Sequence, residues 1–441
     1  MKIEGDITMR NAEQMKTNYE FAGCDTVELA KQYGTPLYVV SEEKIREGCK
    51  EIKETFLMKY KNTKATYASK AFLTLAMCKI IEEEGLGLDV VSGGELYTAI
   101  KANFPMEKIV FHGNNKSYEE LYMAVSHGVG RIVIDNSFEL HMLEDITNIL
   151  KRDIEVLFRV SPGVKGETHE YIITGQKDSK FGIPLEGDNI LQCVKRVVLS
   201  KHIKLMGFHF HLGSQLFDRD IYVIALRIIM NLIKQLKEQI SFVTKEINTG
   251  GGFGIFYTNG DKPKPINYYT DAIMKELQDQ CSSLNIEVPS IVIEPGRWII
   301  GGSGITLYTV GAVKEIPQVR TYVSVDGGLP DNPRPALYKA KYQAVVANKI
   351  NHPKDKVVTI AGKCCESGDI LIWDLQAPQV EPGDILAVLS TGAYNYSMAS
   401  NYNKLLRPAV VLVNRGEANL IVKRESLEDL IRRDIIPKHL L

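Results

Sequence analysis

The chain has 441 residues, 44% of them hydrophobic and 24% charged, with a net charge of −1. That length exceeds one ordinary domain and predicts a large domain with a second beside it, and the near-neutral balance excludes attraction of the whole molecule to nucleic acid or an anionic membrane. No apolar run reaches the length of a spanning helix, and Met1 to Asn18 carries charges where a signal peptide needs an apolar core, so a cytoplasmic protein is expected.

Seven cysteines are scattered along the chain without a disulfide framework or a zinc-type spacing. Cys24, Cys49, Cys78, Cys193 and Cys281 read as small buried hydrophobes. Cys364-Cys365 differs, because it stands among Gly362, Glu366, Ser367 and Gly368.

In chain order, a strand is expected at Pro36 to Val40. Eight more follow near Lys64 to Lys70, Gly87 to Val91, Lys108 to His112, Arg131 to Asp135, Glu155 to Val160, Leu205 to His211, Glu246 to Asn248 and Ile291 to Glu294. Between them, Leu73 to Glu84, Glu95 to Asn103, Tyr118 to His127, Phe138 to Leu150 and Ile221 to Ile240 repeat apolar residues at helical spacing. Eight strands, most followed by a helix over some 250 residues, predict an α/β fold of the (β/α)8 barrel type. Past Ile305 the runs Thr306 to Val313, Thr321 to Val325, Tyr342 to Asn348, Lys356 to Ile360, Ile385 to Leu389 and Val410 to Asn414 alternate without long helices, which predicts a second, all-β domain. A last helix should start at Ser426, with Asp429 completing a capping-box variant. The expected division is 1–41 as a segment contributing to the β domain, 42–304 as the barrel and 305–441 as the β domain.

Barrels carry their chemistry at the C-terminal ends of the strands. The unusual residues of this chain fall there. The first such strand ends in Tyr67-Ala68-Ser69-Lys70, whose amine could form a Schiff base or remain a solvated strand-end lysine. The sixth ends in His209-Phe210-His211-Leu212-Gly213-Ser214-Gln215, and alternation points His209 and His211 to one face, into the barrel. Two histidines suggest a metal, but no third ligand stands near them in sequence, and no metal is expected. The seventh strand runs into Gly250-Gly251-Gly252-Phe253-Gly254, either a phosphate cradle or a tight turn. The eighth ends in Glu294-Pro295-Gly296-Arg297, a carboxylate and a guanidinium that could also simply pair with each other.

These motifs, in this order on a barrel followed by a β domain, resemble the fold type III pyridoxal-phosphate decarboxylases, with the strongest likeness to the diaminopimelate decarboxylases. Thr168-His169-Glu170-Tyr171-Ile172-Ile173-Thr174-Gly175 and Ser179-Lys180-Phe181-Gly182 belong to the same likeness, which runs from about Pro36 to near the C-terminus. The resemblance implies an alanine-racemase-like architecture with pyridoxal 5'-phosphate held by Lys70. It implies that His211 stacks on the ring, that Ser214, Gly250, Gly251 and Gly252 hold the phosphate, and that Glu294 faces the ring nitrogen. Asp89 and Gly296 match positions near the cofactor, while Arg297 and Tyr394 match positions touching cofactor and substrate together.

In Cys364-Cys365-Glu366-Ser367-Gly368-Asp369 the family pattern puts the general acid at Cys365, on a loop that reaches the other subunit's site, which implies a homodimer with shared active sites. A thiol near its ordinary pKa of about 8.5 suits that task. In Asp331-Asn332-Pro333-Arg334-Pro335-Ala336-Leu337-Tyr338, Arg334 with Tyr338 and Arg297 suits a distal carboxylate, and Glu366 suits a distal amine. The expected activity is the lyase reaction from meso-2,6-diaminopimelate to L-lysine and CO2, the last step of lysine biosynthesis. The alternatives are a sister decarboxylase acting on D-ornithine, D-lysine or carboxynorspermidine, a pyridoxal-phosphate-binding regulator without turnover, and a racemase, which the carboxylate of Glu294 disfavours. The chain departs from the family pattern at Trp298 and at Leu329-Pro330.

Overall fold

A computed structural model describes residues 17–164, 179–185 and 189–441. Residues 168–175 of the family likeness lie outside them.

Eight parallel strands close on themselves. In chain order they are Thr63–Ala68, Gly87–Val90, Ile109–Phe111, Arg131–Ile134, Ile154–Ser161, Ile203–His209, Glu246–Asn248 and Ser290–Ile293. Each pairs in parallel with the next, and the eighth returns to the first through Ile291 opposite Thr63 and Val292 opposite Lys64. The strands are short apolar runs because both faces are covered, the inner by the barrel core and the outer by helices. Val110, Val133 and Leu157 form a small cluster of their own, with Met206 packed against it. Tyr118–His127, Ser137–Leu150, Asp220–Ile240 and Ile266–Leu284 are among the surrounding helices. Ser117 caps the first of them in a capping box with Glu120.

The second sheet is built around Gly304–Ile316, a 13-residue strand. Its first half pairs antiparallel with Leu37–Ser41 and with Ile385–Val388, and its second half pairs with Arg320–Val325. The register shifts between Val310 and Val313, which lets one strand serve two halves of the sheet. Leu37–Ser41 also pairs with Ala409–Asn414, so this early strand is enclosed on both edges, and all five of its residues are buried. Ile370–Ala377 and Glu417–Val422 form the two ends of the sheet. The capping box at Ser426 and Asp429 is present, at the start of the short helix Leu427–Ile431.

Cys24, Cys49, Cys78 and Cys281 are buried and Cys193 is partly buried, and all are free thiols. Among the described residues, no helix is long and apolar enough to cross a membrane.

Candidate active site

The C-terminal strand ends surround a cavity of about 410 Å3, lined by Lys70, Asp89, His209, His211, Ser214, Gly252, Glu294, Gly296 and Arg297 of the barrel and by Arg334, Tyr338 and Tyr394 from beyond it. That volume suits a small organic ligand. Lys70 occupies the single helical turn Ser69–Ala71 that ends the first strand. This turn is gripped from two sides. The main-chain N–H of Tyr394 donates to Ala71 O at 2.8 Å. Gly296 packs so closely that an added Cβ would stand 2.8 Å from the Cβ of Ala68. Burial opposes a charged amine at Lys70, but Tyr394, Asp89 and Glu294 outweigh it and raise its pKa.

Glu294 and Arg297 do not pair with each other. Glu294 faces inward: its Oε1 accepts from Asn248 Nδ2 at 2.6 Å and lies 3.0 Å from His112 Nε2, and its Oε2 lies 3.4 Å from His209 Nε2. Burial alone would push this carboxyl up, yet the two histidines hold it well below the usual carboxylate range. Asp89, beside it, is raised by burial to about 6, with His112 opposing the rise. Burial lowers His209 to about 3 and takes His211 well below its ordinary value, so both imidazoles are neutral.

Arg297 turns the other way. It donates to Tyr257 Oη at 2.6 Å and to Ser214 Oγ at 2.9 Å, and its guanidinium lies 4.6 Å from the centre of the Tyr394 ring. Arg334 approaches the same ring, at 5.5 Å, and donates through Nε to Tyr342 Oη at 2.9 Å. Tyr394 itself has a φ of +63°, a left-handed backbone that a non-glycine residue holds only when its surroundings enforce it. The Asp331 to Arg334 segment is no surface turn. Asp331 is buried, accepts from Tyr308 Oη at 2.5 Å and from Gly328 N at 3.0 Å, and is raised by burial to about 7.

Of the three consecutive glycines, Gly252 lines the cavity, while Gly250 and Gly251 stand behind it. Gly250 and Gly252 have φ of +70° and +99°. A Cβ on Gly251 would sit 2.0 Å from Glu294 O, and one on Gly252 2.3 Å from Gly213 O. Glycine is therefore required by close approach of three strand ends. His211 Nδ1 accepts from Gly251 N at 3.2 Å, tying the sixth strand end to this loop. Trp298 also lines the cavity. Cys365 and Glu366 lie exposed, outside it, with Cys365 N donating to Asn403 Oδ1 at 2.9 Å.

Several residues of the site escaped the reading of the sequence. His112, at the end of the third strand and before Gly113, obeys the same strand-end rule as the others. Arg159, an isolated charge in the apolar run Val156 to Val160, lines the cavity too. Tyr257 and Tyr342, 5.4 Å apart edge to face, carried no local signal.

Buried polar atoms without an aligned partner cluster at one end of the cavity, where they are Asp89 Oδ1, His112 Nε2 and both ring nitrogens of His209, and Arg297 Nε is a further one at the other end. At the other end are a hydroxyl, a guanidinium and a glycine-rich turn. A carboxylate at one end and anion-binding groups at the other, with a lysine between, fit a ring carrying a basic nitrogen opposite a phosphate, as in pyridoxal 5'-phosphate. His112, His209 and Glu294 place ligand atoms within 4.8 Å of one another, a spacing a metal could use. Their contacts to each other and to Asn248 equally describe a hydrogen-bonding wall for the ring.

The profile of the "pyridoxal-dependent decarboxylase, pyridoxal binding domain" matches residues 42–301. Diaminopimelate decarboxylase of Bacillus subtilis is 52% identical over 416 residues, which is 94% of this chain and 95% of that protein. The enzyme of the same name from Bacillus methanolicus is 50% identical, covering 93% and 95%. Among solved structures, diaminopimelate decarboxylase from M. jannaschii in complex with L-lysine superposes with a TM-score of 0.90 at 36% identity, over 97% of this chain and 98% of that one. With cavity, donor set and sequence in agreement, the chain belongs to the pyridoxal-dependent decarboxylase family, where its near relatives are diaminopimelate decarboxylases.

Proposed function

We propose that this protein decarboxylates meso-2,6-diaminopimelate to L-lysine and CO2. The observation that carries the reading is the pair of guanidinium groups, Arg297 and Arg334, on the one Tyr394 ring, in the same cavity as Lys70 and Glu294. A substrate with two amino-acid heads needs a reaction centre at one and a carboxylate fork at the other, and this arrangement offers both.

The bound cofactor supplies a conjugated ring that takes up the electron pair of the breaking carbon–carboxylate bond. Around it, Lys70 Nζ is the covalent anchor and the amine that returns to release product. His211 flanks the ring, Asp89 borders it, and Glu294 faces its nitrogen. Ser214 and Gly252 hold the phosphate, with Gly250 and Gly251 shaping the turn behind Gly252 and Arg297 pinning Ser214 in place, while Gly296 lets the eighth strand end pack against the first. Arg334, fixed by Tyr342, binds the distal carboxylate with Tyr338 beside it. The proton that replaces the lost carboxylate comes from Cys365, and Glu366 accepts the distal ammonium. Both residues are exposed and outside their own chain's cavity, which supports their service in a second subunit. On this reading the protein is a cytoplasmic homodimer, with 42–304 as the barrel and 305–441 joined by 1–41 as the β domain.

The test is CO2 release from meso-diaminopimelate by purified protein with pyridoxal phosphate; no release overturns the substrate assignment. The Arg334→Ala variant should raise KM about 10- to 100-fold, as expected for loss of a hydrogen-bonded charge, with a smaller change in kcat. An unchanged KM there would pass the assignment to a decarboxylase of substrates with a bare distal amine.

A further inference from the structure

We infer that His112 is a positioning residue: its Nε2, set between Glu294 and Asp89, fixes the negative charge of Glu294 against the ring of the bound cofactor. The inference rests on the reading that Glu294 faces the ring nitrogen.

The geometry is specific. His112 Nε2 lies 3.0 Å from Glu294 Oε1 and 3.7 Å from Asp89 Oδ1, so one imidazole stands between two buried carboxyl groups. Its approach to Glu294 is off the line of a hydrogen bond, but a field at this distance in a dry site acts without alignment. The ring is held in place. Its edge packs on His209, with centroids 4.7 Å apart, and its main-chain N–H donates to Val90 O at 2.8 Å. The loop that follows is tied down by Lys116, a buried lysine that donates to Gly113 O at 2.7 Å and Val133 O at 2.8 Å and pairs with Glu139 at 2.7 Å. An unpaired buried lysine would be costly, and here its hydrogen bonds and its ion pair fasten the segment just after His112.

The choice of histidine has a chemical reason. An arginine in this place would pair fully with Glu294 and leave it little attraction for a protonated ring nitrogen. An apolar residue would leave burial free to protonate it. An imidazole offers one N–H toward the carboxylate while adding no obligatory positive charge. The other charged or titratable groups facing this centre are Asp89 and Glu95 on the second strand and its helix, Asp135 after the fourth strand, Arg159 on the fifth, His209 on the sixth with His211 just after it, and Lys70 after the first. His112 and His209 are the two that lower the proton affinity of Glu294 most.

The experiment compares His112→Phe, which keeps the ring-edge packing without a donor, with His112→Gln, which restores an N–H, and with Glu294→Gln. Three quantities are measured on each: the affinity of the cofactor-free protein for pyridoxal phosphate, the visible absorption of the loaded protein against pH, and the acid limb of the kcat/KM profile. In H112F the affinity should fall about 10-fold, the loss expected for one interaction with a charged group, and the acid limb should rise by about one pH unit. H112Q should recover most of both. Should H112F not fold, His112→Leu takes its place, with circular dichroism as the control. An H112F or H112L protein with native circular dichroism, wild-type affinity and an unmoved acid limb overturns the inference. E294Q separates the two levels: if its spectrum and affinity equal the wild type's, the reading of Glu294 falls and the role of His112 with it. If E294Q is altered and H112F is not, only the role of His112 falls.

Discussion

Two buried glutamates on neighbouring strands mark the two ends of the barrel, and their surroundings are opposite. Glu246 opens the seventh strand at the N-terminal end, where its oxygens meet Lys64 Nζ at 2.6 Å and Arg131 Nε at 3.1 Å. Arg131 continues to Glu155, and Glu155 to Lys204 at 2.8 Å, so five strands are laced by one ion-pair network. Glu294 follows the eighth strand at the other end, among imidazoles and an amide whose polar atoms are not all satisfied. A carboxylate saturated by cations has nothing left to offer a ligand. One flanked by an amide and imidazoles that do not saturate it keeps its charge available, at the expense of stability. This division, with ionisable groups firmly paired at one face and ionisable groups left unmet at the other, is what a barrel with its site at the C-terminal face should show.

The largest effect should come from the site end. Lys70→Ala should lower kcat at least about 10³-fold, within the range of groups that act directly in the chemistry, while the melting temperature of the cofactor-free protein stays nearly unchanged. Cofactor-free protein is the proper comparison, because a ligand that binds only the folded state adds stability of its own. A large drop in that melting temperature would give Lys70 a structural task and blur the division between the two ends.

Glu246→Ala reverses the pattern. It strands Arg131, whose side chain is only 14% exposed, and should cost about 3 kcal/mol of unfolding free energy in denaturant titration, near the low end for a broken buried pair because Glu155 remains as a partner. The kcat of the folded fraction should be that of the wild type. A kcat loss at unchanged stability would contradict the comparison outright.

The barrel was legible because its strands are short apolar runs each closed by a conspicuous polar or glycine residue, and because strand ends define one face. Lys70, His211, Glu294 and the three glycines follow from that rule, and His112 would have followed had the rule been applied to the third strand. Arg159 could have been found as the single charge inside a buried run. Tyr257 and Tyr342 could not: one lies on the loop after the glycines and the other beyond the helix Arg334–Tyr338, and only the packing of the β domain on the barrel mouth brings their hydroxyls to the two arginines. The pairing within the β sheet was also beyond reach. The segment 1–41 is expected to join the β domain, but the register of Leu37–Ser41 on the central strand, across more than 250 residues of sequence, is a contact that alternation cannot announce.

The smallest effect concerns pH and belongs to the site end alone. Glu95, in the first turn of the helix Gly93–Lys101, accepts from Val91 N at 2.8 Å, and burial raises its carboxyl to about 7, well above the ordinary carboxylate range. A carboxyl whose folded-state pKa is raised binds its proton more tightly folded than unfolded. Its contribution is therefore whole below the unfolded value and is lost as pH climbs through about 7. Glu95 by itself should accordingly tilt the stability of the cofactor-free protein downward between pH 5 and pH 8, against the opposite slope set by the buried neutral imidazoles of His209 and His211. Glu95→Gln keeps an acceptor for Val91 but cannot ionise, so it should flatten that slope and be about 2 kcal/mol more stable than the wild type at pH 8, with little difference at pH 5. Equal slopes for the two proteins would mean that Glu95 is solvated well enough to ionise freely, and that the unmet polarity of the barrel mouth is confined to the ring of groups around Glu294.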